Sequence, residues 1–331
     1  MNILSTLFQV AAIGILGTIA MAFVLAILPR RVRAHGSGLK FPLAGRESYT
    51  DPDHHVTTRD ASVLCYRRFA ADDSRPIVVM LHGSGWHGYQ FADLGARIAG
   101  AGLATCLAPD IRGHGANPDR RGDCGYIGHL EDDIADLVAA EVADGPTRPV
   151  IILGHSSGGS LAIRYAGGGR GPAADGTILL APFVHHAAPT QRPNSGGWAD
   201  PFLRRLVGLS ILNAFRIRVL NHLMVIRFRF PAHVRDGALG HTITERYSYR
   251  LNISYSARQD YKSDISKLPP FLLITGEDDE AFYSDRFAGL FAESGASGDT
   301  HVIAGAGHLD IVDHEATFGL IAAYLGRFGE R

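Results

Sequence analysis

The chain opens on one long apolar run and then settles into short hydrophobic runs alternating with amphipathic stretches. Ile3 to Leu28 carries no charged residue, and as a helix these 26 residues extend roughly 39 Å, more than the ~30 Å hydrocarbon core of a bilayer. The run therefore predicts a membrane-spanning helix. A Gly- and Pro-punctuated linker near Gly36 to Pro52 follows. Beyond it, Ala61–Phe69, Pro76–Leu81, Leu103–Ala108, Pro149–Leu153, Gly176–Ala181, Pro270–Thr275 and His301–Ala304 read as strands. Phe91–Ala99, Leu130–Val142 and Ser157–Ala166 read as helices between them, with further helices before and after the last strand. Ile134, Leu137, Val138 and Val142 fall on one helical face.

Strands that are apolar throughout are buried on both faces, and their alternation with helices predicts a mainly parallel, doubly wound α/β sheet. The alternation breaks between about Phe183 and Lys267, which predicts a cap insertion of mainly helical character. The expected organisation is an anchor over 1–29, a linker and start of the domain over 30–58, and a catalytic domain over 59–331 with the cap at about 183–267.

Charge sharpens the reading of the leader. The net charge is only −1, yet no Asp or Glu precedes Glu47, and Arg30, Arg31, Arg33 and Lys40 follow the apolar run. Basic residues on the C-terminal flank predict a retained single-pass anchor with the body on the cytoplasmic side. A cleaved or inverted segment, which would place the body across the membrane, is the competing reading, with Val32-Arg33-Ala34 a poor cleavage site. Hydrophobic residues at 46% and charged residues at 20% fit a folded body, and nothing in the balance favours a nucleic-acid partner. Cys65, Cys106 and Cys124 are odd in number and lack CxxC spacing, so buried thiols are expected rather than a disulfide framework.

Gly154-His155-Ser156-Ser157-Gly158 fits G-x-S-x-G directly after a strand and directly before a helix, the context in which this motif lifts a nucleophile above a sheet. Only Ser156 has glycines two positions away on both sides. A serine hydroxyl needs a base to take its proton and a carboxylate to fix the base's tautomer. Candidates follow in the order Ser, Asp, His: Gly276-Glu277-Asp278-Asp279 after one strand and Gly307-His308 after the next. Among the three acids Asp279 is chosen, and His308 is expected to open a helix. Backbone amides of Ser157 and of Ser84, in the turn His82-Gly83-Ser84-Gly85, are the expected oxyanion donors.

These motifs resemble the α/β-hydrolase superfamily, and within it the serine aminopeptidase, monoglyceride lipase and lysophospholipase-like branch, from about Arg59 to Phe328. Leu81 to His87 with Tyr89 is similar to the branch's oxyanion segment, Pro109 to Gly115 to its Asp-x-Arg-Gly-His-Gly loop, Gly154 to Gly159 to its elbow, and Gly276 to Asp279 to its acid segment. The resemblance implies a serine esterase or lipase with a Ser156, Asp279, His308 triad. Trp86 stands where the lipase branch often has Glu, and Ala281-Phe282 replaces a proline-containing turn.

From Pro201 to Arg235 the cap has seven arginines and no acid among Leu, Ile, Val and Phe. This favours a lipid-type ester, a lysophospholipid or monoacylglycerol, delivered from a membrane surface. A peptidase or amidase would share every motif, and a membrane-tethered binding protein would need a damaged triad. No motif demands a cofactor or metal, and none addresses oligomeric state.

Overall fold

Continuous burial along short β-branched runs is what makes the sheet. In the computed structural model, which describes residues 3–28, 38–41, 50–118, 120–143 and 147–329, every residue of the strand Ile77–Leu81 is fully buried. Each such aliphatic side chain contributes about 1.5–3 kcal/mol on burial. The strands of the main sheet are β1 (His54–Thr57), β2 (Val63–Phe69), β3 (Ile77–Leu81), β4 (Thr105–Pro109), β5 (Val150–His155), β6 (Gly176–Leu180), β10 (Phe271–Gly276) and β11 (Gly298–Ile303); β7 to β9 belong to the cap. Their order is β1-β2-β4-β3-β5-β6-β10-β11. β1 and β2 run antiparallel to their neighbours, and all other pairs are parallel.

Helices α2 (Ala92–Gly100), α3 (His129–Val142), α4 (Ser157–Gly168), α9 (Phe287–Glu293) and α10 (Glu315–Gly326) cover the sheet, following α1 (Ile3–Ile27) at the start of the chain. The expected strands are present, with β1 added. β1 is short, half exposed and polar at both histidines, so it lacks the apolar signature of a core strand. His308 does not open a helix: it lies in a turn followed by a short 3₁₀ segment at Asp310–Val312, and α10 begins only at Glu315.

The insertion contains the helices α5 (Leu203–Ala214), α6 (Ala232–Arg235), α7 (Tyr249–Ser254) and α8 (Tyr261–Ile265). It also holds a three-stranded antiparallel sheet of β7 (Ala199–Pro201), β8 (Met224–Phe228) and β9 (Arg246–Ser248), so the cap is mixed rather than purely helical.

A second apolar cluster joins α1 to this cap. Ala22 and Ala26 are fully buried against Leu209 and Leu212 of α5, with Val225 and Tyr249 completing the cluster. Gly208 makes the approach possible, since a Cβ there would lie 2.6 Å from the Ala22 carbonyl oxygen and 2.8 Å from the Ala26 nitrogen. Arg205 Nε donates to the Ala26 carbonyl at 2.8 Å, satisfying one of the orphan acceptors at the end of α1. The remainder of α1 is largely exposed, including Leu7, Phe8, Ile13 and Leu16. Of the flanking basic residues, Lys40 is exposed. Arg30, Arg31 and Arg33, with the Val32-Arg33-Ala34 segment, lie outside the described residues.

Candidate active site

Close packing at the end of β5 dictates the glycines of the elbow. A Cβ on Gly154 would lie 2.2 Å from the Gly158 carbonyl oxygen, and one on Gly158 would lie 1.9 Å from the Leu81 carbonyl oxygen. Between them Ser156 adopts φ 53° and ψ −119°, a strained conformation of the kind found at functional turns. It is pinned by its own N–H donating to the Leu180 carbonyl at 3.0 Å and by Phe183 N–H donating to its carbonyl at 2.8 Å. Helix α4 starts at the next residue, directing its positive end at the turn.

The loops after β10 and β11 meet at this turn. His308 Nε2 lies 3.0 Å from Ser156 Oγ, and His308 Nδ1 lies 2.9 Å from Asp279 Oδ2. All three side chains are buried. Burial pushes the Asp279 carboxyl up, but the neighbouring His308 and the amides of Phe282 and Ala281 outweigh it and hold the group below its ordinary value. Those amides donate to Asp279 Oδ1 at 2.8 and 2.7 Å, so the Ala281-Phe282 turn gives the acid two donors without a proline. The Phe282 ring meets the His308 imidazole edge-on at 5.1 Å.

Glu277 and Asp278, the competing acids, are exposed. Ser84 and Ser157 are brought side by side, their hydroxyls hydrogen-bonded to one another. Among the described residues, neither of their amides is taken by a protein acceptor.

Several participants carried no signal in the sequence. Gln90 Nε2 donates to His155 Nδ1 at 2.6 Å while Gln90 Oε1 accepts from Gly83 N–H at 3.0 Å, tying the turn that holds Ser84 to the elbow. With Nδ1 an acceptor, His155 Nε2 carries the proton and donates to the His308 carbonyl at 2.9 Å. Burial, with His308 nearby, pushes the His155 imidazole down to about 3, so it stays neutral.

From the cap, Tyr247 Oη accepts Gly85 N–H at 2.6 Å and lies 2.6 Å from His114 Nε2. Tyr255 Oη donates to the His82 carbonyl. Such contacts join residues far apart in sequence, and only the Gly-rich turn itself hinted at a loop in need of fixing.

Asp110, in the Asp-x-Arg-Gly-His-Gly loop, is fully buried and receives Arg67 Nη1, Gly88 N–H and Ala116 N–H at 2.8–3.0 Å. It is a structural hub. A cavity of about 780 Å³ opens over Ser156 and His308, with Trp86, Trp198, Phe230 and Leu239 in its walls. Its volume lies within the range of small-molecule sites.

A sequence profile of the serine aminopeptidase S33 family matches residues 72–315. The chain belongs to this family. Its relatives include lipases of the monoacylglycerol lipase-like branch, and also protein phosphatase methylesterase 1 of Bos taurus, 27% identical over 115 residues, covering 35% of this chain and 30% of that protein. A segment of 109 residues is 34% identical to monoacylglycerol lipase of Mycolicibacterium smegmatis, covering 33% of this chain and 38% of that protein. Another of 136 residues is 29% identical to human monoglyceride lipase, covering 41% of this chain and 44% of that protein. The matches thus span less than half the length of these curated relatives.

The fold is shared more widely. A soluble variant of Saccharomyces cerevisiae monoglyceride lipase, solved with a substrate analog, superposes with a TM-score of 0.64 at 16% identity, covering 87% of this chain and 98% of that one. Paleococcus ferrophilus monoacylglycerol lipase gives 0.59 at 22% identity, covering 80% and 99%. Both superpositions place the chain in the α/β-hydrolase fold.

Proposed function

We propose that the protein is a membrane-anchored serine hydrolase that cleaves a lipid-type carboxylic ester, a monoacylglycerol or lysophospholipid. The observation that carries this reading is the unbroken chain Asp279–His308–Ser156, at 2.9 and 3.0 Å, beneath a cavity walled by aromatic and aliphatic side chains. In this mechanism Ser156 Oγ attacks the ester carbonyl as its proton passes to His308 Nε2. Asp279 holds the Nδ1–H and stabilises the imidazolium. The amides of Ser84 and Ser157 receive the oxyanion. His308 then protonates the departing alcohol, leaving an acyl-enzyme. A water that gives its proton to His308 attacks the acyl carbon, and the carboxylic acid and Ser156 hydroxyl are regenerated.

The division into an anchor (1–29), a linker (30–58) and a catalytic domain (59–331) capped over about 183–267 belongs to the same proposal. The apolar α1, which is long enough to cross a bilayer, supports the anchor, and basic residues on its C-terminal flank support a cytoplasmic body. The family's description as an aminopeptidase favours a second reading, cleavage of a peptide bond by the same residues. Purified full-length protein assayed on monoacylglycerols, lysophospholipids and aminoacyl amides separates the two: lipid ester turnover that vanishes in Ser156→Ala is expected. Turnover of amides alone, or activity and fluorophosphonate labelling that survive in Ser156→Ala, contradicts the proposal.

A further inference from the structure

The cavity over Ser156 has one wall that the hydrolase body does not supply. Leu39 and Phe41, from the segment 38–41 that follows α1, line it beside Trp86, Trp198 and Phe230. Both precede the residues shared with the family, 72–315, so the family likeness does not account for them.

Leu39 is buried, at 6% exposure. The Phe41 ring lies 5.4 Å from Trp198 and 5.7 Å from Phe230, and Phe230 in turn stacks on Trp86 at 5.9 Å. These separations are those of aromatic rings in favourable tilted and offset contact.

Gly38 and Lys40 fix the segment against its neighbours. Gly38 is so close to the turn before β7 that a Cβ would lie 1.5 Å from the Gly196 carbonyl oxygen, and a Cβ on Gly196 would lie 2.0 Å from the Glu280 carbonyl oxygen. Lys40 Nζ reaches within 3.9 Å of Glu280 Oε1, a long pair whose exposed ammonium adds little. Earlier in the chain, α1 is docked on α5 through Ala22, Ala26 and Gly208. Gly38 thus sits against the turn, and Leu39 and Phe41 directly after it form part of the cavity wall.

An apolar wall at this place recognises an alkyl chain. We propose that residues 38–41 form a specificity arm in which Leu39 and Phe41 close the acyl-chain channel, so that the substrate's hydrocarbon tail packs against a segment contributed from outside the hydrolase body. The inference rests on the ester-hydrolase reading above. Each methylene buried adds about fourfold in affinity, so loss of the Phe41 ring, which faces several methylenes at once, lowers selection for long chains by about tenfold or more.

The test is a p-nitrophenyl ester series from acetate to palmitate, run on the full-length chain in one detergent. Phe41→Ala and Leu39→Ala are expected to lower the ratio of long-chain to acetate kcat/KM by about tenfold, and Leu39→Trp to move the optimum to shorter acyl groups. Fluorophosphonate labelling identifies variants that have folded with a competent nucleophile. Phe41→Leu, a milder truncation, takes the place of any that does not label.

Equal losses at every chain length, or an unmoved profile in labelled variants, overturn the arm. The wild-type profile is read separately: a preference for acetate removes the lipid reading, while a variant that still shifts that profile leaves the arm in place.

Discussion

Glu280 Oε2 accepts the backbone N–H of His308 at 2.9 Å, so the residue after the candidate acid grips the main chain of the candidate base. The Asp279 side chain and this amide thereby join the two loops at the base itself, besides the bond from Asp278 N–H to the Ala306 carbonyl at 2.9 Å. Removing the acceptor leaves a half-buried N–H unsatisfied, a cost of about 1–3 kcal/mol. Glu280→Ala is therefore expected to lower kcat by about tenfold to a hundredfold, and Glu280→Gln, which keeps an acceptor oxygen, to retain most of it. Steady-state kinetics that separate kcat from KM decide; an unchanged kcat in the alanine variant contradicts the role.

Tyr247 makes a comparable link from the cap. Its hydroxyl is the acceptor for Gly85 N–H, one residue beyond the candidate oxyanion donor Ser84. Tyr247→Phe is expected to reduce kcat about tenfold, because one loosened hydrogen bond in the loop misplaces a donor that acts only on the transition state. KM should move little. A rise in KM with kcat intact assigns the tyrosine to substrate binding instead.

The elbow glycines give a steric prediction. Gly158→Ala forces a methyl group against the Leu81 carbonyl oxygen at 1.9 Å, backbone that cannot swing aside. A loss of about 3 kcal/mol or more is expected for overpacking of this kind, visible as a lower thermal midpoint and a reduced labelled fraction. A variant as stable and as fully labelled as wild type rules out the packing described here.

Buried histidines set the acid limit of stability. Burial pushes the His114 imidazole down to about 4 and that of His155 to about 3, and depresses His82 and His87 as well. The unfolded chain takes up these protons near pH 6.5 while the folded one does not. Stability contributed by the neutral rings is thus complete above that pH and is lost as pH falls towards 4, at a limiting rate of about 1.4 kcal/mol per unit for each histidine. Urea midpoints that fall between pH 7.5 and 5 are expected, and a midpoint that holds steady or climbs over that interval refutes the assignment.

Legibility in the sequence followed the range of the interactions involved. β3, β5 and β10 declared themselves because strands buried on both faces carry unbroken apolar runs, Ile77–Leu81, Val150–Leu153 and Phe271–Ile274, and the elbow did so because its glycines are required within a few residues of Ser156. β1 did not, being an edge strand with two histidines. The cap sheet pairs Ala199–Pro201 with Met224–Phe228 across an intervening helix, and three-residue strands carry no periodicity of their own.

Of the site, sequence order suggested which serine, acid and histidine to compare. The distances among them, and the roles of Gln90, His155, Glu280 and Tyr247, arise from long-range packing that no local pattern encodes. The polar helix start expected at His308 was displaced because Gly307 N–H and His308 N–H are instead taken by Asp310 and Glu280.

The exposed apolar flank of α1 has a practical consequence for anyone handling the protein. Leu7, Phe8, Ile13, Leu16 and Ile27 stand open on the helix, and Leu203 and Val207 stand open on the α5 helix packed beside it. An amphiphile chosen to keep the leader in solution will coat both at once. Every micelle is then in effect a cosolvent of the cap, and rates measured in different surfactants should be compared only after each has been titrated.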